Sequence, residues 1–394
     1  MNTVTTPTPV RYHPDVETPS DDEPEVFAEL RETLLEMSRT MLAHTGHGLR
    51  SVHAKSFALL HGTLEVLPGL PATLAQGLFA APACYDLIAR LSTPPAEELD
   101  DRVSLPRGIA LKIIGVEGAR LAGTEDDRTQ DFLMVDGPVF NAPDTKHFLR
   151  SLKQLAATTD KAEGGKRALS VILRGAATAL GAVGIESPTL VALGGHKQTH
   201  PLGATFFTQA PQRYGDYIAK LCLVPVSPSL TSLRDKPLSD DLADDPEGLR
   251  QSSNDFFASG AGEWELRVQL NTDLERMPIE DASVPWPEDL SPYVAVARVR
   301  IGSQTGWSEE RSKAVDDGLS FNPWHGLDAH RPLGDVMRAR KAVYPASAAF
   351  RSAANGCPLH EPESAQQAFG SQSASASHAS ADAVAPVKPS RAVR

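Results

Sequence analysis

Residues 338–351 read RARKAVYPASAAFR. Arg340 and Tyr344 stand four apart, so a helix places them one above the other on one face. A phenol loses its proton only near a pKa of about 10, which makes tyrosine a poor metal ligand at neutral pH. A fixed guanidinium beside it favours the phenolate and makes a ligand of it. Tyrosinate is one of the recognised axial ligands of haem iron. The same spacing also suits a half-buried surface helix with a basic face and an aromatic edge, so the pair needs support from elsewhere in the chain.

Composition narrows the field. The 394 residues suffice for one large domain or two of medium size with a sizeable core. Hydrophobic residues make up 41% and charged residues 22%, and the 31 prolines suit a loop-rich globular protein. The formal net charge is -12, with no block of lysine or arginine, which argues against a nucleic-acid backbone binder. Residues 1–25 hold no apolar core of signal-peptide length, and no apolar run anywhere is long enough to span a bilayer. A cytoplasmic protein without a membrane span is expected. Cys84, Cys222 and Cys357 are too few and too scattered for a disulfide framework or a C-x-x-C metal site, and are expected to be single buried thiols.

Residues 1–23, rich in Thr, Pro and acidic side chains, predict a disordered arm. Phe27, Leu30, Leu34, Met37 and Met41 recur at helical spacing and predict an amphipathic helix over 24–43, ended by Gly46 and Gly48. The following GLRSVHAKSFALLHGTLEVL looks extended and feeds a strand. A short helix and a turn are expected over 68–91, then strands in RVSLPRGIALKIIGVEG, stopped by Gly118, and in TQDFLMVDGPVF. Helical patterning runs from 144 to 185, and 203–224 reads as a hairpin. Residues 226–262 look like loop, while WELRVQLNTDLE and YVAVARVRIGS alternate as half-buried strands. At least six strands, with helices gathered at the ends, predict an α+β antiparallel sheet or barrel rather than a doubly wound fold. The organisation expected is a domain over 24–354 and a disordered Ala/Ser-rich tail over 355–394.

Upstream, Arg50-Ser-Val-His53-Ala-Lys55 puts an arginine and a histidine three apart. A histidine above a haem can take a proton from one peroxide oxygen and return it to the other; a buried histidine bonded to a backbone carbonyl fits the motif equally. Ser92, in RLST at Arg90–Thr93, offers a hydroxyl that could orient an imidazole, or an ordinary cap before the proline pair. His196-Lys-Gln-Thr-His200 has the spacing of a zinc helix but lacks its glutamate and lies between glycines and a proline, so a loop is expected. The chain has no G-x-S-x-G elbow, phosphate loop or dinucleotide fingerprint.

Taken in order, R-x-V-H-A-K, R-L-S-T, P-R-G-I-A-L-K (Pro106–Lys112) and R-x-x-x-Y-P resemble the haem catalase superfamily, and more closely its short catalase-related branch of small haem peroxidases. Trp264–Gln269 and Val284-Pro-Trp286-Pro287 are similar to a strand and a V-W-P element of that family, and the likeness spans about residues 45–351. The resemblance implies a catalase-like antiparallel β-barrel with surrounding helices and a haem b cofactor. It implies that His53 is the distal catalytic histidine, Ser92 the serine bonded to it and Val52 the residue gating the iron. Tyr344 would be the proximal ligand and Arg340 the arginine that holds it ionised. Arg50 and Arg90 would neutralise the propionates, and Phe140 would pack on the haem face.

Two departures stand out. The family's fast peroxide-dismutating members carry a distal asparagine in an N-N-T-P run, where this chain places Thr129, with Gln130 as a substitute. Only 50 residues follow Tyr344, so the C-terminal domain of large catalases is expected to be lacking. The resemblance therefore implies a peroxidase acting on hydrogen peroxide or organic hydroperoxides with an unknown electron donor. Rearrangement or cleavage of a lipid hydroperoxide, and haem binding without turnover, are left open, as is assembly into a homo-oligomer.

Overall fold

Strand β8 (Gly262–Leu270) sets the pattern: Trp264, Leu266, Val268 and Leu270 point into a common core while Glu265 and Arg267 between them stay partly exposed. The computed structural model describes residues 8–156 and 196–369. The other strands are β1 (Ser56–Val66), β2 (Cys84–Ser92), β3 (Gly108–Ile114), β4 (Thr129–Val135), β5 (Phe206–Phe207), β6 (Gln212–Tyr214), β7 (Tyr217–Pro225) and β9 (Val294–Ile301). All pair antiparallel, in the order β5-β4-β3-β2-β1-β9-β8-β7-β6, and β5 also pairs with β7. That last pairing closes eight strands into a barrel and leaves β6 outside it on β7. Closure removes the unpaired edges that an open sheet would expose. Ile109, Leu111 and Ile113 of β3 face the barrel interior, whereas Ala110 and Ile114 join an outer cluster with Phe321 and Phe369.

Five helices matter for the site: α1 (Glu23–Thr45), α2 (Thr145–Ala156), α3 (Gly248–Ser259), α4 (Asp335–Asn355) and α5 (Ala365–Phe369). Leu30, Leu34, Met37 and Met41 of α1 pack on Leu149 and Leu152 of α2 and on Ala339 and Val343 of α4. The apolar stripe read at helical spacing is thus this contact. Gly46 (φ 71°) and Gly356 (φ 60°) end α1 and α4 in the left-handed conformation that glycine adopts without penalty. Among the described residues no helix is long and apolar enough to cross a membrane.

Four expectations need correction. Residues 8–22 are not a free arm. Val10 and Tyr12 donate backbone hydrogen bonds to Asn271 and Asp216 (both 2.8 Å), Val16 is buried beside Trp286, and Glu17 joins Glu23 and Glu280 around Arg338. Residues 356–369 are likewise packed: Glu361 pairs with buried Lys112 at 2.6 Å and Phe369 is buried under Arg311. These partners lie far off in sequence, so local composition does not reveal them. Residues 84–92 form a strand rather than a helix and turn; Leu87–Ser92 are buried on both faces, which erases alternation. Residues 248–259 are helix rather than loop, because buried Ser252 and Ser253 satisfy their hydroxyls on the Leu249 carbonyl (2.9 Å each) and Leu249 and Phe257 suffice as anchors. The patterning over 157–185 lies outside the described residues. Of the cysteines only Cys222 is buried; Cys84 is exposed and Cys357 half-buried.

Candidate functional site

The loop joining α1 to β1 carries His53 at φ 56°, a conformation uncommon outside glycine. Two hydrogen bonds hold it there: His53 N–H to the Pro94 carbonyl (2.7 Å) and Ala54 N–H to that of Pro95 (3.0 Å). Arg90 donates to the carbonyls of His53 (2.9 Å) and Ala54 (3.0 Å), so β2 braces the loop from below. The imidazole Nδ1 lies 3.1 Å from Ser92 Oγ. A methyl group added at Gly108 would sit 2.5 Å from His53 Cε1 and 2.8 Å from Nδ1, so the ring lies flat against the β3 backbone. That contact and the serine occupy one edge of the ring and leave Nε2 as the nitrogen open to a ligand. Burial pushes the imidazole down to about 3, helped by the positive charges of Arg90 and Arg340, so it is neutral at neutral pH.

His53 lines a cavity of about 860 Å³, counting its open mouth. Another wall is α4, which contributes Arg340, Val343, Tyr344, Ser347, Ala348 and Arg351, one stripe at helical spacing. Ser347 Oγ meets Ser51 Oγ at 2.8 Å and ties the helix to the His53 loop. Arg340 shares the Tyr344 face; among the described residues its guanidinium meets Met337 Sδ (3.5 Å) and lies 5.7 Å from the Phe140 ring rather than bonding the phenol.

At one end the cavity collects Arg50, Arg90 and Arg351. Asp316 is their half-buried carboxylate, 2.6 Å from Arg90 Nε and held also by Ser56 (2.6 Å) and Ser312 (2.7 Å). Burial tends to raise Asp316, but Arg90 and Arg50 outweigh it and hold it down at about 2. Arg50 rests on the carbonyls of Val315 (3.3 Å) and Leu319 (3.2 Å), Arg351 on those of Asp317 and Leu319 (both 2.9 Å). Burial, together with its neighbours Arg351 and Arg90, pushes Arg50 well down; Arg351 falls to about 10, from burial and then Arg90. Like charges crowded this way call for an anionic guest.

Solved structures share the architecture. A fungal catalase crystal structure at 1.9 Å aligns with TM-score 0.54 over 89% of this chain and 66% of its own, at 17% identity. Catalase A from Saccharomyces cerevisiae aligns with TM-score 0.53 over 89% of this chain and 68% of its own, at 15% identity. The fold is that of the catalases. This chain spans about two thirds of the length of those two structures, and identities this low speak for the fold alone. No protein-family model and no curated protein sequence matches the chain.

In this catalase-like barrel the cavity brings together Arg50, Val52, His53, Arg90, Ser92, Arg340 and Tyr344 from the sequence reading. It does not bring in Thr129 and Gln130. Both lie at the start of β4, whereas β4 reaches the cavity with Leu133, Met134 and Val135. The register explains why: Val135 faces Gly108, against which His53 lies, while Thr129 faces Ile114 six residues away along β3. Thr129 instead donates to Glu361 (2.7 Å), and Gln130 accepts from the Leu327 N–H (2.8 Å). Phe140 stands behind Arg340 and packs on Phe148 (ring centres 5.1 Å apart), which sits in the same apolar cluster as Val52 and Tyr344.

The sequence reading missed Gly108, Gln209, Asp316, Phe321 and Arg351. Arg351 was detectable, seven residues beyond Tyr344 on the same helical face. Asp316 was not, because it arrives through the irregular turn Lys313–Asp317 with no local signature. The His196–His200 pair is a loop, as expected. His196 Nε2 lies 3.0 Å from Asp136 and His200 Nδ1 accepts from the Leu202 N–H (3.3 Å). Among the described residues no group of three or more His, Cys, Asp or Glu could hold a metal.

Proposed function

We propose that this protein binds haem b and consumes hydrogen peroxide or an organic hydroperoxide. One observation carries the reading: a neutral histidine, fixed in a strained conformation with a serine at its Nδ1, and a tyrosine one turn from an arginine line the same cavity. The charge balance fits the group. Arg50, Arg90 and Arg351 outnumber the nearby carboxylates of Asp316 and Asp317, and a carboxylate at a haem edge would offset the remaining positive charge. Tyr344 is the side chain on the α4 wall able to bind iron, and Arg340 lines the same cavity one turn before it.

When bound, haem supplies a redox-active iron that takes up the oxidising equivalents of the peroxide. The chain's own residues then manage protons and position. With its Nδ1–H given to Ser92, His53 presents the Nε2 lone pair, accepts a proton from one peroxide oxygen and returns it to the other as the O–O bond breaks. Two electrons complete the reduction, from a second peroxide released as dioxygen or from a reducing co-substrate. The wall formed by Ile109, Leu133, Met134 and Val135 is apolar, which favours hydroperoxides with an organic substituent as a second substrate class; rearrangement or cleavage of a lipid hydroperoxide is the runner-up on that ground.

The test is spectroscopic and then kinetic. The purified protein is expected to show a Soret band and to consume added peroxide. Tyr344→Phe is expected to lose most of the haem, and His53→Ala to keep haem and lose turnover. Wild-type haem content in Tyr344→Phe would overturn the ligand assignment. A Soret band without peroxide consumption would leave a haem-binding protein without turnover.

A further inference from the structure

Gln209 is the second residue of the cavity lining, after His53, with a positive φ outside glycine (61°). Its neighbours close a γ-turn around it, Ala210 N–H donating to the Thr208 carbonyl at 2.7 Å, and with φ positive this is the rare, strained hand of that turn. Thr208 clamps the turn onto β7 by donating to the Leu221 carbonyl (3.0 Å) and accepting from the Leu221 N–H at its hydroxyl (3.1 Å). Such strain persists only where the surroundings over-determine it, and it gathers at functional sites.

The orientation of the amide is set by its partners. Nε2 donates to the carbonyls of Gly137 (3.1 Å) and Val139 (2.5 Å). Both neighbours are acceptors, so the nitrogen must face them, and its two hydrogens are used. Oε1 is the polar atom that remains, and no described residue donates to it. Gln209 and His53 line the same cavity. Val135 pairs with Gly108 on one side, where the His53 ring lies, and with Phe207 on the other, two residues before Gln209. Gly108 and Phe207 thus flank Val135 across two strand spacings, roughly 10 Å.

We propose that Gln209 is the specificity-determining acceptor of the cavity, selecting hydrogen peroxide over alkyl hydroperoxides by binding a second O–H. This rests on the peroxide reading above. Hydrogen peroxide carries two O–H groups: one gives its proton to His53, and the other can donate to Gln209 Oε1. An alkyl hydroperoxide has only the first. A site built to bind a substrate hydroxyl discriminates against an analogue without it, because its own polar group is then left unpaired.

The comparison is Gln209→Met, similar in length but without acceptor or tethers, in the protein as purified with its cofactor. The kcat/KM for hydrogen peroxide is expected to fall roughly tenfold relative to that for tert-butyl hydroperoxide. Hydrogen exchange of residues 136–142, followed by mass spectrometry, should quicken because two carbonyl tethers are gone. Should that variant fail to fold, Gln209→Asn, which withdraws the amide by one methylene, carries the same comparison with a smaller shift. An unmoved ratio in a variant that still turns over peroxide overturns the proposal and leaves the peroxide reading standing. Unchanged exchange over 136–142 overturns the assigned amide orientation, and the proposal with it. An unaltered protein that consumes neither peroxide overturns both readings.

Discussion

His53 shows how much a single position can depend on what its neighbours omit. Its ring fits because Gly108 has no side chain, so Gly108→Ala is expected to push the imidazole off Ser92. A displacement of about 1 Å can cost on the order of 100-fold in rate. Peroxide turnover should fall by that order while the Soret band and the cooperative melt persist; turnover at the wild-type rate would mean that the ring is not held by this contact. The protonation state gives a second check. Because burial and Arg90 push His53 down to about 3, the base is already neutral far below the ordinary imidazole range. The acid limb of kcat/KM against pH should therefore lie near 3–4 rather than near 6.5. A limb at 6.5 that disappears in His53→Gln would contradict this electrostatic account. Sequence alone exposed His53 and Ser92 as a motif, but not the backbone conformation or Gly108, since both depend on strand pairing across 39 or more residues.

At the level of elements, legibility followed solvent. β8 keeps one wet face, so its alternation was plain in the sequence. β2 is dry on both sides from Leu87 to Ser92 and was read as something else. Thr129 and Gln130 failed for a related reason: in a strand every residue is displaced about 3.3 Å from the last, so a motif shifted by six positions moves about 20 Å along the barrel. The α4 stripe was legible at Arg340 and Tyr344 because helical periodicity is local, and Arg351 extends it by two turns. Asp316 joins that helix to β2 electrostatically. Asp316→Asn would remove the carboxylate paired with buried Arg90 and leave Asp317 as the counter-charge to Arg50 and Arg351, and is expected to destabilise the protein by about 1–3 kcal/mol in denaturant titration. A loss below about 1 kcal/mol would mean that the arginines are already well solvated.

Taken as a whole, the molecule stores several imidazoles in their neutral form. His53, His200, His325 and His330 are all pushed down, to between about 3 and about 4, chiefly by burial. His330 accepts the Leu78 N–H at Nε2 (2.9 Å), a bond that protonation would break. In the unfolded chain these groups take up protons below about 6.5 while the folded chain does not, so stability falls as pH drops from there towards the folded values. Asp316 acts in the same direction: held at about 2, it contributes stability above the unfolded value of 3.8 that is lost as pH falls through 2. The melting temperature should decline between pH 7 and pH 5 and more steeply below it, by calorimetry. A flat profile across that window would mean that the imidazoles are not buried neutral.

The barrel closes by joining residues remote in the chain: β1 pairs with β9, and Glu65 meets Arg300 235 positions away. A ribosome must therefore release the chain through α4 before Tyr344 can join the cavity that His53 lines. Any prosthetic group has to load after synthesis, into a finished shell, and nascent chains stalled before α4 should fail to retain it.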